Sequence, residues 1–327
     1  MLRPGIALFA LSLFAPAATF AADPRPGLYV DALSAVHRWG LPRWTLPEND
    51  EALKARLSHA VKKDRTITAD EAEELFPPAR FQRLAGTDAA LSADELENAL
   101  NTDTPSTRKE LLPGAADALA TLATGLDQLK PRHQQAANEL ARWILTRPAG
   151  QPIHVTVVCT GNSRRSILGS TLGNLAADYY GMPEIRFHSG GTAPSAFNPR
   201  TIKALTSLGV EVMPLGDEAP RGTTGEPNPR YRIRWGTGTA AEAVEFSKKY
   251  SDAANPREDF AAILVCSEAD AACPIVTGAA VRIPAPFLDP KDYDGSSVET
   301  QKYEERRDDI GRMMLAAMLQ VRNARGE

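Results

Sequence analysis

Residues 153–166 constrain this chain more than any other stretch. Ile153-His-Val-Thr-Val-Val158 is an apolar, β-branched run of strand length. It is followed by Cys159-Thr-Gly-Asn-Ser-Arg-Arg165, a turn of small and polar residues ending in two arginines. An amphipathic segment then begins at Ser166 and runs to Tyr180. Runs of this kind read as a buried strand. A helix that opens directly after such a loop presents unpaired backbone N–H groups and about half a positive charge. Small residues let those N–H groups turn inward around an anion. Cys159 sits at the base of that cradle, so its thiol pKa is expected to fall. Arg165 can fork two N–H groups onto a tetrahedral anion. Ser166 can donate to the thiolate, and Asn162 can brace the loop. A cysteine nucleophile inside an anion cradle implies attack on a tetrahedral oxyanion such as phosphate or arsenate. The bland alternative is an inert cysteine that merely ends a strand.

The flanking sequence supplies a scaffold for such a loop. Ile185–His188 and Ala261–Val265 are further strand signals, a helix is expected over Pro199–Leu208, and another strand lies near Val210–Val212. Val298–Asn323 reads as a long amphipathic helix. Strands alternating with helices imply an α/β, three-layer domain with a central parallel sheet, here over residues 151–327. Residues 214–259 are rich in Pro, Gly, Asn and charge and read as a long insertion. Its Asn228-Pro-Arg-Tyr-Arg-Ile-Arg-Trp235 and Phe246-Ser-Lys-Lys-Tyr250 could form a lid for a larger anionic substrate, or simply pack.

Residues 23–150 read differently. Helices are expected near 49–63, 70–84, 93–103, 113–129 and 131–147, punctuated by Pro77-Pro78, Pro105, Pro113 and Pro131. Asp64-Arg-Thr-Ile-Thr-Ala-Asp-Glu71 and Asp88-Ala-Ala-Leu-Ser-Ala-Asp-Glu95 repeat at a 24-residue offset. Each resembles the second half of an EF-hand loop. Ala60 and Lys62, and Leu84 and Gly86, stand where the first and third ligands belong, and the central Gly is missing. A hard cation needs about six oxygens, so these copies read as degenerate, or as helix caps at Thr68 and Ser92. Ahead of this region, one basic residue, an apolar stretch from Gly5 to Phe20 and Ala21-Ala22 read as a secretory signal peptide over residues 1–22. The mature protein is then expected to be exported, periplasmic or secreted, with no membrane attachment.

Composition narrows the function. With 37 Lys and Arg against 41 Asp and Glu, nothing suggests nucleic acid as a partner. Three cysteines are too few for a disulfide scaffold or a four-ligand zinc site, and the five histidines show no ligand spacing, so no metal and no tightly bound cofactor is expected.

The loop Cys159-Thr-Gly-Asn-Ser-x-Arg-Ser166 resembles that of the low-molecular-weight protein tyrosine phosphatase superfamily, which includes the thioredoxin-coupled arsenate reductases. The resemblance covers residues 152–325 and extends to Ser189-Gly-Gly-Thr192, Asn198-Pro199 and Asp289-Pro290. It implies a phosphotyrosine phosphatase I-like fold. It makes Cys159 the nucleophile and Asp289 the general acid, with Thr160, Gly161, Asn162, Ser163, Arg164, Arg165 and Ser166 around the oxyanion. Cys266 and Cys273, with six residues between them and Pro274 following, match the reductase branch. That branch implies arsenate reduction through three thiols and an external thioredoxin-like reductant. The alternative is a phosphatase for phosphotyrosine or another phosphomonoester, with a cysteinyl-phosphate intermediate. Export favours the latter, because Cys266 and Cys273 could then form a permanent disulfide. Ser170 stands where some reductases carry a carboxylate behind the loop that helps hold potassium, so that site is not carried over.

Overall fold

A computed structural model describes residues 66–68, 81–82, 85–86, 90–92, 105–148, 150–222, 224–266 and 276–325. The signal segment, the helices expected near 49–63 and 93–103, all but Phe81 and Gln82 of the one expected near 70–84, and Cys273 lie outside the described residues. Within the repeat, β1 (Thr66–Thr68) and β2 (Ala90–Ser92) pair antiparallel, with Ile67 opposite Leu91. The two copies therefore meet through equivalent apolar residues.

Among the described residues, six helices and two 3-10 turns precede or flank the sheet. They begin with α1 (Ser106–Lys109), α2 (Pro113–Ala123), a 3-10 turn (Leu126–Gln128) and α3 (Pro131–Leu145). Both α2 and α3 start on a proline at the first turn, where the missing N–H costs nothing. The sheet is built from β3 (Ile153–Cys159), β4 (Ile185–Gly191), β8 (Phe260–Leu264) and β9 (Ala279–Pro284) in the order β4-β3-β8-β9. All three pairings are parallel. This is the expected α/β three-layer arrangement around a central parallel sheet. β3 lies between the strand that follows it in the chain and β8, so the strand order reverses at its carboxyl end. Crevices at such reversals are the usual ligand sites of open parallel sheets.

Alternation along the strands divides the core. Val155, Val157, Ala261 and Ile263 face the large cluster formed with α4 (Arg165–Tyr179) and α6 (Glu299–Arg325). Val158, Phe260, Ala262 and Leu264 face the opposite side, against Val276 and Tyr250. Leu119, Leu122 and Leu126 of the α2 segment and Leu140 and Ile144 of α3 belong to the same large cluster. Residue 150 thus marks a change of secondary structure, and the core runs across it.

Two sequence expectations are corrected. The segment starting α4 is not amphipathic, for every one of its residues is buried. Its polar side chains are covered and bonded: Ser170 to Glu245, Asn174 to Phe187, and Asp178 to Trp235 and Arg186. The insertion is not one long loop. It holds β5 (Glu211–Glu218), β6 (Pro229–Arg234) and β7 (Glu242–Glu245), a separate three-stranded antiparallel sheet. The strand expected near Val210–Val212 belongs to this second sheet. Trp235 ties it to α4 by donating its indole N–H to Asp178 at 2.7 Å. Its arginines do not form a cationic lid. Arg232 and Arg234 pair with Glu242 and Glu211, and Arg230 pairs with Asp217 and stacks on Phe246.

Candidate active site

β3 ends on Cys159 and α4 begins on Arg165, so the loop 160–164 closes the carboxyl end of the central strand. The segment after β4 shapes it. The carbonyls of Cys159, Thr160, Gly161 and Ser163 accept from the backbone N–H groups of Thr192, Ala193, Ser195 and Asn198. In a trans peptide the N–H points opposite to its carbonyl. Drawing these carbonyls outward therefore turns the N–H groups of residues 160, 161, 162 and 164 toward the concave side, which is what anion capture requires. Asn198 caps α5 (Pro199–Thr206) by accepting from Arg200 N–H, which accounts for the Asn198-Pro199 pair. A Cβ on Gly191 would lie 2.6 Å from the Thr160 carbonyl, so only glycine lets β4 pass this close to the loop.

Asn162 has φ of 42°, a left-handed conformation that Asn tolerates better than most residues. The surroundings hold it there. Lys248 N–H donates to Asn162 Oδ1 at 2.8 Å, and Asn162 Nδ2 donates to Ser166 Oγ and Ser189 Oγ at 2.9 Å each. Ser166 Oγ in turn lies 3.0 Å from Cys159 Sγ.

The electrostatics of the thiol differ from expectation. Burial pushes the Cys159 thiol up, and the nearby Cys266 adds to that. The Ser166 hydroxyl and backbone N–H, and then Arg165, pull it down without prevailing. The Arg165 charge is already engaged: its guanidinium pairs with Asp289 Oδ2 at 2.7 Å and donates to the Phe287 carbonyl at 2.8 Å.

Asp289 is therefore at the site, as the sequence implies. Its other oxygen caps the 3-10 turn Pro290–Tyr293 by accepting from Lys291 N–H. The Arg164 side chain is not, for it reaches Tyr303 at 2.8 Å and Asp294 at 3.4 Å on the far side of the loop. Any part of Arg164 in anion binding is left to its backbone N–H. Cys266, just past β8, is buried with Sγ 3.5 Å from Thr160 Oγ1. No disulfide joins it to Cys159. His188 is paired with His154. Its Nε2 lies 3.1 Å from His154 Nδ1, and burial and His154 hold its pKa down to about 4.

The sequence reading missed two residues. Glu245 and Lys248 form an ion pair of 2.7 Å directly behind the loop, both nearly sealed from solvent. Lys248 was legible only as part of a basic, aromatic stretch.

Geometry and sheet topology together define a three-layer α/β protein whose strand-order reversal carries the 160–164 loop with Cys159 at its base. No protein-family model matches the chain, and no curated protein matches it. Among solved structures it is similar to a thioredoxin-dependent arsenate reductase of Corynebacterium glutamicum. That alignment has 13% identity and a TM-score of 0.27, and covers 80% of this chain and 92% of the other. At that TM-score the likeness carries no argument about this chain.

Proposed function

We propose that the protein is an exported cysteine enzyme that reduces arsenate to arsenite. The observation that carries this reading is the second buried thiol, Cys266, held against Thr160 of the loop whose base is Cys159. An oxyanion entering the cradle competes with the Asp289 carboxylate for Arg165. Binding thus releases Asp289 as it anchors the anion. Cys159 attacks arsenic, a sulfur–arsenic bond forms, and an arsenate oxygen leaves as water after protonation by Asp289. Cys266 then attacks Cys159 Sγ. The electron pair of the sulfur–arsenic bond stays on arsenic, which departs as arsenite, and a Cys159–Cys266 disulfide remains. Cys273 displaces Cys159 from that disulfide, and an external dithiol of the thioredoxin class reduces the Cys266–Cys273 bond. Such a reductant must then be present in the exported compartment.

A phosphomonoester phosphatase is the second reading. Asp289 favours it, because a carboxyl group beside Arg165 is placed to protonate an ester's leaving oxygen, and hydrolysis needs only Cys159. One comparison separates the two. Purified protein is given arsenate with a thiol reductant, and separately an aryl phosphate. Cys159→Ser is expected to end both activities, and Cys266→Ser only arsenite production. Arsenite formation that survives Cys266→Ser would overturn the reductase reading.

A further inference from the structure

Behind the loop, on the side away from any substrate, the Glu245–Lys248 pair is the end of a hydrogen-bond chain that leads to the nucleophile. Every link up to Ser166 has a defined donor. Lys248 N–H can only donate, so the atom of Asn162 facing it at 2.8 Å is the amide oxygen. The amide nitrogen of Asn162 must then donate to both Ser166 Oγ and Ser189 Oγ. The Lys248 ammonium also donates to Ser189 Oγ, at 3.3 Å. Ser189 thus accepts twice, and its own proton goes to the Glu245 carboxylate at 2.8 Å. Ser166 accepts from Asn162, which leaves its proton free to be donated to Cys159 Sγ, 3.0 Å away. Donation from that hydroxyl to the sulfur favours the thiolate over the thiol.

We propose that Lys248 and Glu245 are positioning residues for the nucleophile. The ammonium acts as a built-in monovalent cation, and with Glu245 it orients Ser189, Asn162 and Ser166 so that Cys159 is the acceptor at the end of the row. The observation behind this is an ion pair that is nearly sealed from solvent and contributed entirely by the insertion. A buried pair is weak in stability terms and needs another reason to exist. The segment carrying it is fixed further to the loop and to the end of β4: Ser247 Oγ donates to the Gly161 carbonyl at 3.0 Å, and Gly191 N–H to the Lys248 carbonyl at 2.9 Å. The insertion is therefore part of the active-site support and not an accessory domain.

The inference rests on Cys159 being the reactive thiol, and its test does not require turnover. The pH profile of Cys159 alkylation by iodoacetamide is measured by peptide mapping in the parent protein, Lys248→Met, Lys248→Ala and Ser189→Ala, with folding checked by thermal melts. Lys248→Met is expected to move the midpoint up by about one pH unit, roughly tenfold in rate at fixed pH below the midpoint. Ser189→Ala, which deletes one hydroxyl and leaves the ion pair, is expected to move it in the same direction and keeps the question open should Lys248→Met not fold. Methylammonium or potassium added to Lys248→Ala is expected to restore the parent profile, while the parent itself ignores both ions. Unchanged midpoints in the folded variants would overturn the positioning role. A Lys248→Ala profile that ignores both ions would overturn the built-in cation. If instead the profile shifts as expected while Cys159→Ser retains turnover, the proposed function fails and the thiol network stands.

Discussion

Asp289 and Arg165 hold each other at 2.7 Å, so the strongest cation of the cradle is occupied by the protein's own carboxylate. An oxyanion must displace it. Asp289→Asn is therefore expected to tighten inhibition by phosphate or arsenate several-fold and to slow turnover by about 10²-fold or more, the usual worth of a positioned acid. Weaker anion inhibition in Asp289→Asn would contradict the competition. A second residue-scale prediction concerns His188. Its folded-state pKa of about 4 lies below the ordinary 6.5 because burial and His154 disfavour the charge; Glu245, Lys248 and Arg186 are the other charges acting on it. The unfolded chain then binds the extra proton between these values, so stability is complete above about pH 6.5 and falls as the pH drops toward 4. The loss from this group is at most about 3 kcal/mol. Melting temperatures across that window should fall in the parent and fall less in His188→Gln; identical slopes would refute the assignment. At this scale the site was largely legible. Cys159, Asn162, Arg165 and Ser166 converge because a strand, a tight loop and a helix leave them little choice, whereas Asp289 is brought to Arg165 from beyond β9. The thiol's raised pKa was not legible, since it depends on how completely the surroundings seal it.

At the scale of elements, close approach decides what is allowed. α4 lies against the sheet through Gly169 and Gly173. A Cβ at Gly169 would meet Val157 at 2.8 Å, and one at Gly173 would overlap the Phe187 ring. Gly173→Ala gains helix propensity in principle, yet is expected to destabilise by roughly 1–3 kcal/mol through overpacking, read as a lower denaturation midpoint. Equal or higher stability would mean the helix can lift from β4 without cost. Gly190 is similar, as its Cβ would run into the Tyr250 backbone where the insertion meets the loop. The elements themselves were partly legible. β3, β4, β8, α2, α3 and α6 follow from apolar runs, proline boundaries and helical spacing. The second sheet was overlooked because its Pro, Gly and charge content outweighed a shorter signal. Arg230-Tyr-Arg-Ile-Arg-Trp235 alternates with period two, which is how a half-buried strand reads. In α4 the serines, asparagine and aspartate gave a false polar face, because they are covered by the next strand at residue 187 and by residues 235 and 245, far away in sequence.

For the whole molecule, one core joins the helices before residue 150 to the sheet after it. Leu122, Leu126, Leu140 and Ile144 pack in the cluster that holds α4 and α6. A chain beginning at residue 151 is therefore expected to expose that apolar face and to lose a cooperative melting transition. A sharp transition in the shorter chain would show that the helical layer is dispensable. Long-range placement of this kind was the least legible part of the sequence. Nothing local in Phe246-Ser-Lys-Lys-Tyr250 says that Lys248 will lie beneath Asn162 and pair with Glu245, because that contact depends on how the second sheet docks.

The account's central claim is that Cys159 reacts with an oxyanion and passes the result to Cys266. The most direct test uses Cys273→Ser, in which the relay should stop one step early. This variant is reduced, freed of reductant, exposed to arsenate, and digested for disulfide mapping while arsenite is measured. The account predicts a Cys159–Cys266 disulfide and one arsenite released per disulfide formed. Unlinked thiols with no arsenite would contradict it.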